Sequence, residues 1–276
     1  MRLTKHHALG NDFLVLVDID GWHTNLAPVA RAACDRRRGI GADGLLHLTA
    51  GHDGADVTMA LYNADGGRAE MSGNGLACLT HAAVHEGLAG PDRVTVSTDS
   101  GLRVVEILRS SSDRDSHGDP FHPGVGSVDR LRVEVGPAVL GDELPEWVDG
   151  DVLRAVGVDV GNPHVVLHVA EPAKFPIEEV GTRICDLTPG GVNVEAIGSG
   201  AAPGELAMVV YERGVGVTEA CGTGACAAAA VGARWGLVGD HVRVAMPGGT
   251  TEIDVGPTIL MTTTIAHVAT IDFHSP

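Results

Sequence analysis

The sequence predicts a mixed α/β (α+β) protein made of two pseudo-symmetric copies of one unit, each a curved, mostly antiparallel sheet rolled around a central helix. Three observations predict this fold. Short strand-like runs alternate with glycine-rich turns along the 276 residues. An ordered set of motifs occurs twice, and each copy contains essentially one long helix, which is apolar on nearly every side. Such a helix belongs inside a sheet, so we expect an active-site cleft between the copies, where both helix N-termini point.

The repeat becomes visible when the second half is aligned so that Cys221 falls on Ser72. The segment Ser72-Gly73-Asn74-Gly75 then matches Cys221-Gly222-Thr223-Gly224. Near the start of each copy, Gly10-Asn11-Asp12 matches Gly161-Asn162-Pro163. These matches predict an N-terminal lobe of residues 1–137 with 264–276 and a C-terminal lobe of residues 138–263.

Apolar runs and turn residues predict the elements of the first copy in order. Its first elements are a buried strand from Phe13 to Asp18 and a helix from Pro28 to Cys34. The glycine-rich segment from Arg36 to Gly44 lacks the residues of a nucleotide-binding loop, so we interpret it as a structural turn. The polar segment from Ser110 to Gly124 is expected to be a flexible, exposed loop. The remaining elements are a strand at 57–62, a helix from 72–75 to about Glu86, a hairpin at 94–98 and 102–108, and a strand at 130–135.

The composition excludes several classes of partner. The chain has 19 basic and 36 acidic residues, a net charge of −17, which argues against nucleic acid and against an anionic membrane. No segment is long and apolar enough to span a bilayer, and no secretory signal is evident. The five cysteines form an odd set without zinc-finger spacing, which fits reduced thiols in a cytosol. We therefore expect a cytoplasmic protein that acts on a small molecule.

Cys221 and Ser72 are the candidate acid and base. Each stands at the entry of a predicted helix, where unpaired backbone N–H groups create an anion site. Placed on opposite faces of a bound molecule, one side chain removes a proton and the other delivers one, which inverts a carbon centre. The N–H groups of Gly73, Asn74, Gly222 and Thr223 would hold the adjacent carboxylate. We expect the helix end and desolvation to lower the pKa of the Cys221 thiol, and no pyridoxal-type cofactor is needed.

Several motifs follow one another along almost the whole chain: Lys5-x-His7-x-x-Gly10-Asn11-Asp12-Phe13, Gly39-Ile40-Gly41-Ala42-Asp43-Gly44, Asn63-Ala64-Asp65-Gly66, Gly161-Asn162-Pro163-His164, Val192-Asn193-Val194-Glu195, Glu212-Arg213-Gly214 and Ala220-Cys221-Gly222-Thr223-Gly224-Ala225-Cys226. Together they resemble the diaminopimelate epimerase family. The resemblance implies a cofactor-free, two-base amino-acid epimerase that interconverts LL- and meso-diaminopimelate for lysine and peptidoglycan synthesis. Members of the family are often dimers, so the resemblance is compatible with a homodimer, but the sequence does not fix the oligomeric state.

The resemblance assigns roles by position. It implies that Cys221 is one acid/base and that residue 72 has the opposite role. Glu212 and His164 would flank the reacting centre, where they contact the amino group or assist the thiols. Alternatively, His164 is a satisfied core histidine and any one asparagine simply caps a turn. The residues implied to hold the distal end of the substrate are Asn11, Asn63, Asn162, Asn193 and Arg213, with Arg213 as a bidentate clamp on its carboxylate.

Other cysteines and histidines are interpreted as structural. Cys78 and Cys226 lie inside predicted helices and are expected to be packing residues. His81 and His85 lie one helical turn apart, as metal ligands can, but the motifs supply no third ligand. We therefore predict no metal site.

Position 72 departs from the family, which has cysteine where this chain has Ser72. Ala77 also stands where the family usually has arginine. A serine hydroxyl is a far weaker acid than a thiol, so it is a poor base unless another group activates it. Three explanations stay open: Ser72 relays a proton through His164, Glu212 or water; the chain is an inactive or engineered variant; or it has drifted to another amino-acid substrate or to elimination chemistry.

Three further functions compete with the isomerase. A dehydratase would use Cys221 to take the α-proton and would release a 2-oxo acid. A cysteine hydrolase would pair Cys221 with His164 and form an acyl-enzyme detectable by its mass. A non-catalytic amino-acid-binding protein would bind its ligand but exchange no proton.

Overall fold

The structure is a computed structural model that describes residues 1–108, 128–147 and 150–274. The predicted loop from Ser110 to Gly124 lies outside these residues. The chain forms two compact units, which we call the N-terminal unit, residues 1–133 with 262–276, and the C-terminal unit, residues 134–261. The lobe boundaries derived from the sequence stay a prediction.

Seventeen strands and four α-helices are present in the described residues. The first part of the chain forms β1 (Arg2–Ala8), β2 (Asn11–Val17), α1 (Ala27–Cys34), β3 (Gly44–Ala50), β4 (Val57–Asn63), β5 (Arg68–Ala69), α2 (Gly73–His85), β6 (Arg93–Thr98), β7 (Gly101–Leu108) and β8 (Val128–Gly136). The second part forms β9 (Val139–Glu143), β10 (Val152–Asp159), β11 (Pro163–Val169), α3 (Ile177–Leu187), β12 (Asn193–Ser199), β13 (Glu205–Glu212), β14 (Gly216–Thr218), α4 (Gly222–Arg234), β15 (His241–Met246), β16 (Gly249–Asp254) and β17 (Ile259–Asp272).

The strands of the N-terminal unit form a mostly antiparallel, barrel-like sheet. Antiparallel pairs join β1 to β2, β3 to β4, β6 to β7 and β7 to β8. Parallel pairs join β2 to β3, with Phe13 opposite Gly44, and β4 to β6. Strand β17 pairs with both β1 and β8, which closes the sheet on itself and removes its open edges. The predicted mixed fold with a rolled sheet is confirmed.

Helix α2 is the core of the N-terminal unit. Every residue from Gly73 to Ala83 is buried, and the helix contacts strands β1 to β4, β6 and β7. Small residues allow the surrounding strands to approach the helix, while Leu76 and Leu79 fill the space between them. The predicted helix, from 72–75 to about Glu86, agrees with these bounds.

The C-terminal unit repeats this order of elements and pairings. Strands β11 and β12 are parallel, with His164 opposite Asn193, and β13 and β15 are also parallel. Antiparallel pairs join β9 to β10, β10 to β11, β12 to β13, β13 to β14 and β15 to β16. Helix α4 is buried from Gly222 to Gly232 and contacts β10 to β13, β15 and β16.

Helix α3 is a second, shorter helix of the C-terminal unit that the sequence did not predict beside the one long helix expected in each copy. It is an amphipathic helix of 11 residues whose buried side faces β12 and β13 through Ile177, Gly181 and Ile184. Glu178 and Glu179 lie in its first turn, where negative charge is favourable. A helix with one apolar side packs on the outside of a sheet, unlike α2 and α4. Among the described residues, no helix is long and apolar enough to cross a membrane.

Candidate active site

Cys221 caps the N-terminus of α4. Its backbone is extended, with φ −134° and ψ 117°, and its Sγ accepts a hydrogen bond from the Gly224 N–H at 3.3 Å. Thr223 Oγ1 lies 3.6 Å from the same sulfur. The side chain is buried, so these groups, together with the partial positive charge of the helix end, form the polar surroundings of the sulfur.

The pKa of the Cys221 thiol is raised well above its ordinary value. Burial is the largest cause, and the carboxylates of Glu212 and Glu195 raise it further. Hydrogen bonds from Thr223 and the Gly224 N–H lower the pKa but do not offset these effects. The expectation of a lowered pKa is therefore wrong, because desolvation penalises the thiolate. Cys221 is a thiol at neutral pH, in the form that delivers a proton.

His164 is held at both ring nitrogens. Its Nδ1 lies 2.7 Å from Glu195 Oε1 and its Nε2 lies 2.9 Å from Asn162 Oδ1. The side chains of His164 and Glu195 are completely buried. The Asn162 amide nitrogen points to Thr223 Oγ1 at 3.4 Å, which leads back to Cys221. We call these five residues, Glu195, His164, Asn162, Thr223 and Cys221, the Cys221 cluster.

Glu212 and Arg213 lie at the end of β13, on the turn to β14. Glu212 accepts a short hydrogen bond from the Thr218 hydroxyl, and its charge acts on the Cys221 thiol. The Arg213 guanidinium donates to the Gly190 carbonyl at 3.2 Å. Asn193 joins two segments, since its Oδ1 accepts from the Arg213 N–H at 2.9 Å and its Nδ2 donates to the Pro163 carbonyl at 3.3 Å. The Asn193 amide therefore has a structural role in this turn.

Ser72 caps α2 in the same way as Cys221 caps α4. Its backbone is extended, with φ −146° and ψ 121°, and its Oγ accepts from the Gly75 N–H at 3.0 Å. Asn74 donates to Asn11 Oδ1 at 3.1 Å, and Asn11 donates to Asp43 Oδ2 at 2.8 Å. We call these four residues, Ser72, Asn74, Asn11 and Asp43, the Ser72 cluster. In the described part of its own unit, no acidic or basic side chain hydrogen-bonds Ser72 Oγ.

Charged groups behind the Ser72 cluster fix Asp43. Arg36 binds Asp12 and Asp43, each at 2.7 Å, and Lys5 Nζ lies 2.7 Å from Asp12. Burial and the charge of Asp12 raise the pKa of Asp43. Burial also raises the pKa of Asp12, but hydrogen bonds from Arg36 and Lys5 bring it below its ordinary value. The segment from Arg36 to Gly44 is thus the predicted turn, and it also orients Asn11.

The remaining predicted residues lie at strand and helix ends. Asn63 ends β4 and closes the following turn through backbone hydrogen bonds with Gly66 and Gly67. Gly73 and Gly222 are the first residues of α2 and α4, so their N–H groups have no partner within the helix. Each unit thus presents a capping side chain and backbone donors suited to a carboxylate.

Sequence reasoning missed three residues that contact the predicted ones: Glu195, Asp43 and Thr218. Glu195 lies in strand β12 between the apolar residues Val194 and Ala196, and it is completely buried. A charged residue in a buried strand requires a partner, which is a signal that could have identified it. Asp43 and Thr218 belong to turns, where polar residues are common and carry no such signal.

The other cysteines and histidines have structural surroundings. Cys78 and Cys226 are buried in α2 and α4, and burial raises the pKa of both thiols. His81 contacts His6 and Asp129, with Nδ1 to Nδ1 at 3.1 Å and Nε2 to Oδ2 at 3.3 Å. No group of three or more His, Cys, Asp or Glu residues within the described ranges could hold a metal ion.

Comparisons with known proteins agree with the motifs. The sequence model of the family described as diaminopimelate epimerase matches residues 3–119 and 156–264. The diaminopimelate epimerase of Sphingopyxis alaskensis is 39% identical over 263 residues, 93% of this chain and 90% of that protein. That of Desulforudis audaxviator is 36% identical over 268 residues, 93% and 94% of the two chains.

A solved structure shows the same fold at low sequence identity. The phenazine biosynthesis protein of the PhzF family from Bacillus anthracis matches with a TM-score of 0.72. The two chains are 14% identical, and the match covers 99% of each. This likeness concerns the fold, a mixed α+β architecture with a barrel-like sheet.

Proposed function

The chain belongs to the diaminopimelate epimerase family, and we propose that it epimerises LL-diaminopimelate to meso-diaminopimelate by proton transfer at the α-carbon without a cofactor. Its acid/base groups in this proposal are Cys221 and Ser72, acting from opposite faces of the substrate. The reaction places the protein in lysine and peptidoglycan biosynthesis. We further propose that it works in the cytoplasm, which its odd set of five cysteines favours, and that it forms a homodimer, as members of the family often do.

One observation carries the proposal. Each unit contains a buried helix of 13 residues, and the two helices are capped at their N-termini with the same geometry. The capping side chain is Ser72 in one unit and Cys221 in the other. At each cap, backbone N–H groups are available to bind the α-carboxylate of the substrate and the charge that develops on it when the α-proton leaves. Two such ends supply two proton-transfer groups and two sets of donors, as a symmetric inversion requires.

Cys221 and Ser72 contribute differently to the proposed reaction. Cys221 is a thiol at rest, so it first serves as the acid and becomes a base after it has released its proton. Ser72 serves as a relay, because its hydroxyl is too weak an acid to act alone and its own unit supplies no titratable partner among the described residues. His164, Glu212 or water is the proposed group behind it.

Glu212 and His164 flank the reacting centre in this proposal, and the distal end of the substrate is bound by Asn11, Asn63, Asn162, Asn193 and Arg213. Arg213 suits a carboxylate because its guanidinium offers paired donors, of which one now contacts Gly190. Asn193 contributes to binding by fixing the backbone of Arg213 and Pro163, because both ends of its side-chain amide already make hydrogen bonds to them. The net charge of −17 repels a polyanion, so a small amino acid is the more suitable ligand.

The direct test is incubation with LL-diaminopimelate and chiral analysis of the product. Formation of meso-diaminopimelate supports the proposal, and its absence with folded protein sinks it for this substrate. Release of a 2-oxo acid would instead identify a dehydratase. A mass increase on Cys221 would identify a hydrolase, and binding without any reaction would identify an amino-acid-binding protein.

A further inference from the structure

The Cys221 cluster forms an unbroken chain of hydrogen-bonding contacts within the C-terminal unit. It runs from Glu195 to His164 at 2.7 Å and from His164 to Asn162 at 2.9 Å. It continues from Asn162 to Thr223 at 3.4 Å and ends at the Cys221 sulfur, 3.6 Å further on. All five residues are less than a tenth exposed, so bulk water does not compete for these contacts.

This chain has two self-consistent hydrogen-bond directions, because an asparagine amide can present either its oxygen or its nitrogen to a neighbour. With the Asn162 oxygen toward His164, Nε2 carries a proton and a second proton lies between Nδ1 and Glu195. The Asn162 nitrogen then donates to Thr223, whose hydroxyl is free to donate to the Cys221 sulfur. This direction suits a thiolate, which only accepts hydrogen bonds.

The reversed amide gives the opposite arrangement. The Asn162 nitrogen donates to Nε2, so His164 keeps only the proton that it donates to Glu195. The Asn162 oxygen accepts from the Thr223 hydroxyl, whose oxygen is then free to accept from the Cys221 thiol. The two arrangements contain the same number of protons. They differ in whether one proton lies on the sulfur or on the buried pair of His164 and Glu195.

The position of Glu195 strengthens this connection. Its Oε1 lies so close to α4 that a Cβ on Gly224 would come within 2.6 Å of it. Its Oε2 is buried and has no hydrogen-bond partner in the described residues. A fully buried carboxylate with one free oxygen is costly unless it shares a proton or a positive charge. His164 supplies that charge or that proton.

The described residues of the N-terminal unit contain no equivalent chain of contacts. In the pairing of β2 with β3, Phe13 and Leu46 occupy the places that His164 and Glu195 hold in the pairing of β11 with β12. Leu46 also contacts the Cβ position of Gly75, as Glu195 does for Gly224. Asn11 has its amide nitrogen on the Asp43 carboxylate, which fixes the orientation of that amide. Within residues 1–108, 128–147 and 150–274, a chain that can reverse its direction is therefore found at the Cys221 cap but not at the Ser72 cap.

We propose that Glu195 is a positioning residue which, through His164, Asn162 and Thr223, couples the proton of Cys221 to the buried His164–Glu195 pair. When Cys221 has to act as a base, the pair takes up one proton as the thiol loses one, and the chain reverses direction. No other reactant is required. This inference rests on the proposed role of Cys221 as acid and base.

The experiment measures the pH midpoint of Cys221 alkylation by iodoacetamide, followed by mass spectrometry of the Cys221 peptide. The thiolate is the reactive form, so the midpoint reports its formation, whereas a change in access alters the rate without moving the midpoint. Glu195→Gln removes the charge and keeps the size. Without that charge His164 no longer has a partner for its second proton, so the pair cannot take up the proton of the thiol. We therefore expect the midpoint to rise by about one pH unit, which is roughly a tenfold slower reaction at a fixed pH below the midpoint, whereas simple charge repulsion would lower it.

A double-mutant cycle separates coupling along the chain from simple repulsion between charges. Thr223→Val interrupts the chain, so Glu195→Gln should have little effect on the midpoint in that background. Thr223→Ser keeps the hydroxyl and should restore the full effect. Glu171→Gln, which removes an exposed carboxylate of the same unit, is the matched control and should move nothing.

Three outcomes would overturn the inference: no shift or a downward shift with Glu195→Gln, an equal shift with and without the Thr223 hydroxyl, or an equal shift with Glu171→Gln. Alkylation requires no turnover. A protein that shows the coupling but makes no meso-diaminopimelate would contradict the proposed function alone. An active epimerase without the coupling would contradict this inference alone.

Discussion

At the scale of single residues, the two helix caps differ in one atom, since Ser72 carries oxygen where Cys221 carries sulfur. Both side chains accept the same hydrogen bond, from Gly75 at 3.0 Å and from Gly224 at 3.3 Å. Their ability to exchange protons is very different, because a hydroxyl is a much weaker acid than a thiol. Proton transfer at Ser72 is therefore the step that limits the rate of the proposed reaction.

Ser72→Cys is expected to raise the rate of epimerisation. A positioned acid/base group contributes about 10²–10⁴-fold to a rate, and the new thiol would supply most of what the serine lacks, so we expect at least a roughly hundredfold higher kcat. Ser72→Ala, which removes the hydroxyl, is the matched control and should lower kcat below that of the unchanged protein. A folded Ser72→Cys variant with unchanged kcat would show that Ser72 does not limit the reaction.

Cys221→Ala is expected to abolish proton exchange at the α-carbon of the substrate. The substrate should still bind with similar affinity, because the backbone N–H groups and Arg213 remain in place. Exchange is measured by loss of an α-tritium label and affinity by calorimetry. Cys226→Ala removes a buried cysteine of the same helix that has no role in the proposed reaction, and it serves as the control for removal of a thiol. Full exchange without Cys221 would remove it from the mechanism.

At the same scale, the sequence identified the capping residues but not their protonation. The pattern of Cys221 before Gly-Thr-Gly predicts a helix end and hence a lower pKa for the thiol. The pKa of the Cys221 thiol is instead raised, because the side chain is buried and because Glu212 and Glu195, which belong to other strands, lie near it. Such long-range charges are set by tertiary packing, so no local pattern contains them.

At the scale of elements, the third residue of each capped helix has to be glycine for a local reason. A Cβ on Gly75 would lie 3.1 Å from Ser72 Cβ and 3.3 Å from the flexible end of Leu46. A Cβ on Gly224 would lie 2.6 Å from Glu195 Oε1, a carboxylate fixed by His164. The two helices are thus alike in sequence but differ in how tightly their first turns are packed.

Gly224→Ala should therefore lower the thermal unfolding midpoint more than Gly75→Ala. An exposed glycine-to-alanine change in a helix stabilises by about 1 kcal/mol, but at position 224 the displacement of Glu195 outweighs this gain. Both variants are compared with the unchanged protein by calorimetry. Equal midpoints for the two variants would mean that Glu195 is not held against α4.

The elements themselves were largely predictable, with one exception. Strands such as β4 and the helices α2 and α4 follow from apolar runs and from glycine-rich entries. Helix α3 was not identified, although Ile177, Val180 and Ile184 have the spacing of an amphipathic helix that follows a short turn at Pro172–Lys174. Its helical state depends on packing against β12 and β13, which is a tertiary effect.

At the scale of the whole molecule, a buried group of histidines makes the fold sensitive to acid. His6 Nδ1 lies 3.1 Å from His81 Nδ1, so at least one of the two nitrogens is unprotonated. Burial and the neighbouring His81, His267, His85 and His7 lower the pKa of His6 from 6.5 to about 2. Folding therefore keeps His6 neutral, whereas the unfolded chain protonates it below pH 6.5.

The sign of the effect follows from this lowered pKa. The contribution of His6 to stability is fully present above pH 6.5 and is lost as the pH falls towards about 2. Between pH 7.5 and 5.5 we expect the free energy of unfolding to fall by about 1.4 kcal/mol more than in His6→Gln, as urea titrations would measure. His52→Gln, at a largely exposed histidine, is the control and should behave like the unchanged protein. Parallel pH curves for the protein and His6→Gln would contradict the account.

The duplicated architecture could be predicted because the motif at Ser72 and the motif at Cys221 recur with their flanking strands. Family membership followed from the same motifs read in order. The aligned copies already place Phe13 on His164 and Leu46 on Glu195. The alignment does not contain the packing of Leu46 beside Gly75 and of Glu195 beside Gly224, which is a tertiary effect and becomes known only when the strands are placed against the helices.

The central claim is that Ser72 and Cys221 together invert the α-carbon of one substrate. It is tested most directly by incubating the protein with LL-diaminopimelate in deuterated water and following deuterium incorporation and stereochemistry in the same sample. The account predicts that the meso product carries deuterium at its inverted α-carbon from the first turnovers. Deuterium in recovered LL-diaminopimelate without any inversion would show that only one of the two groups transfers protons, and would contradict the claim.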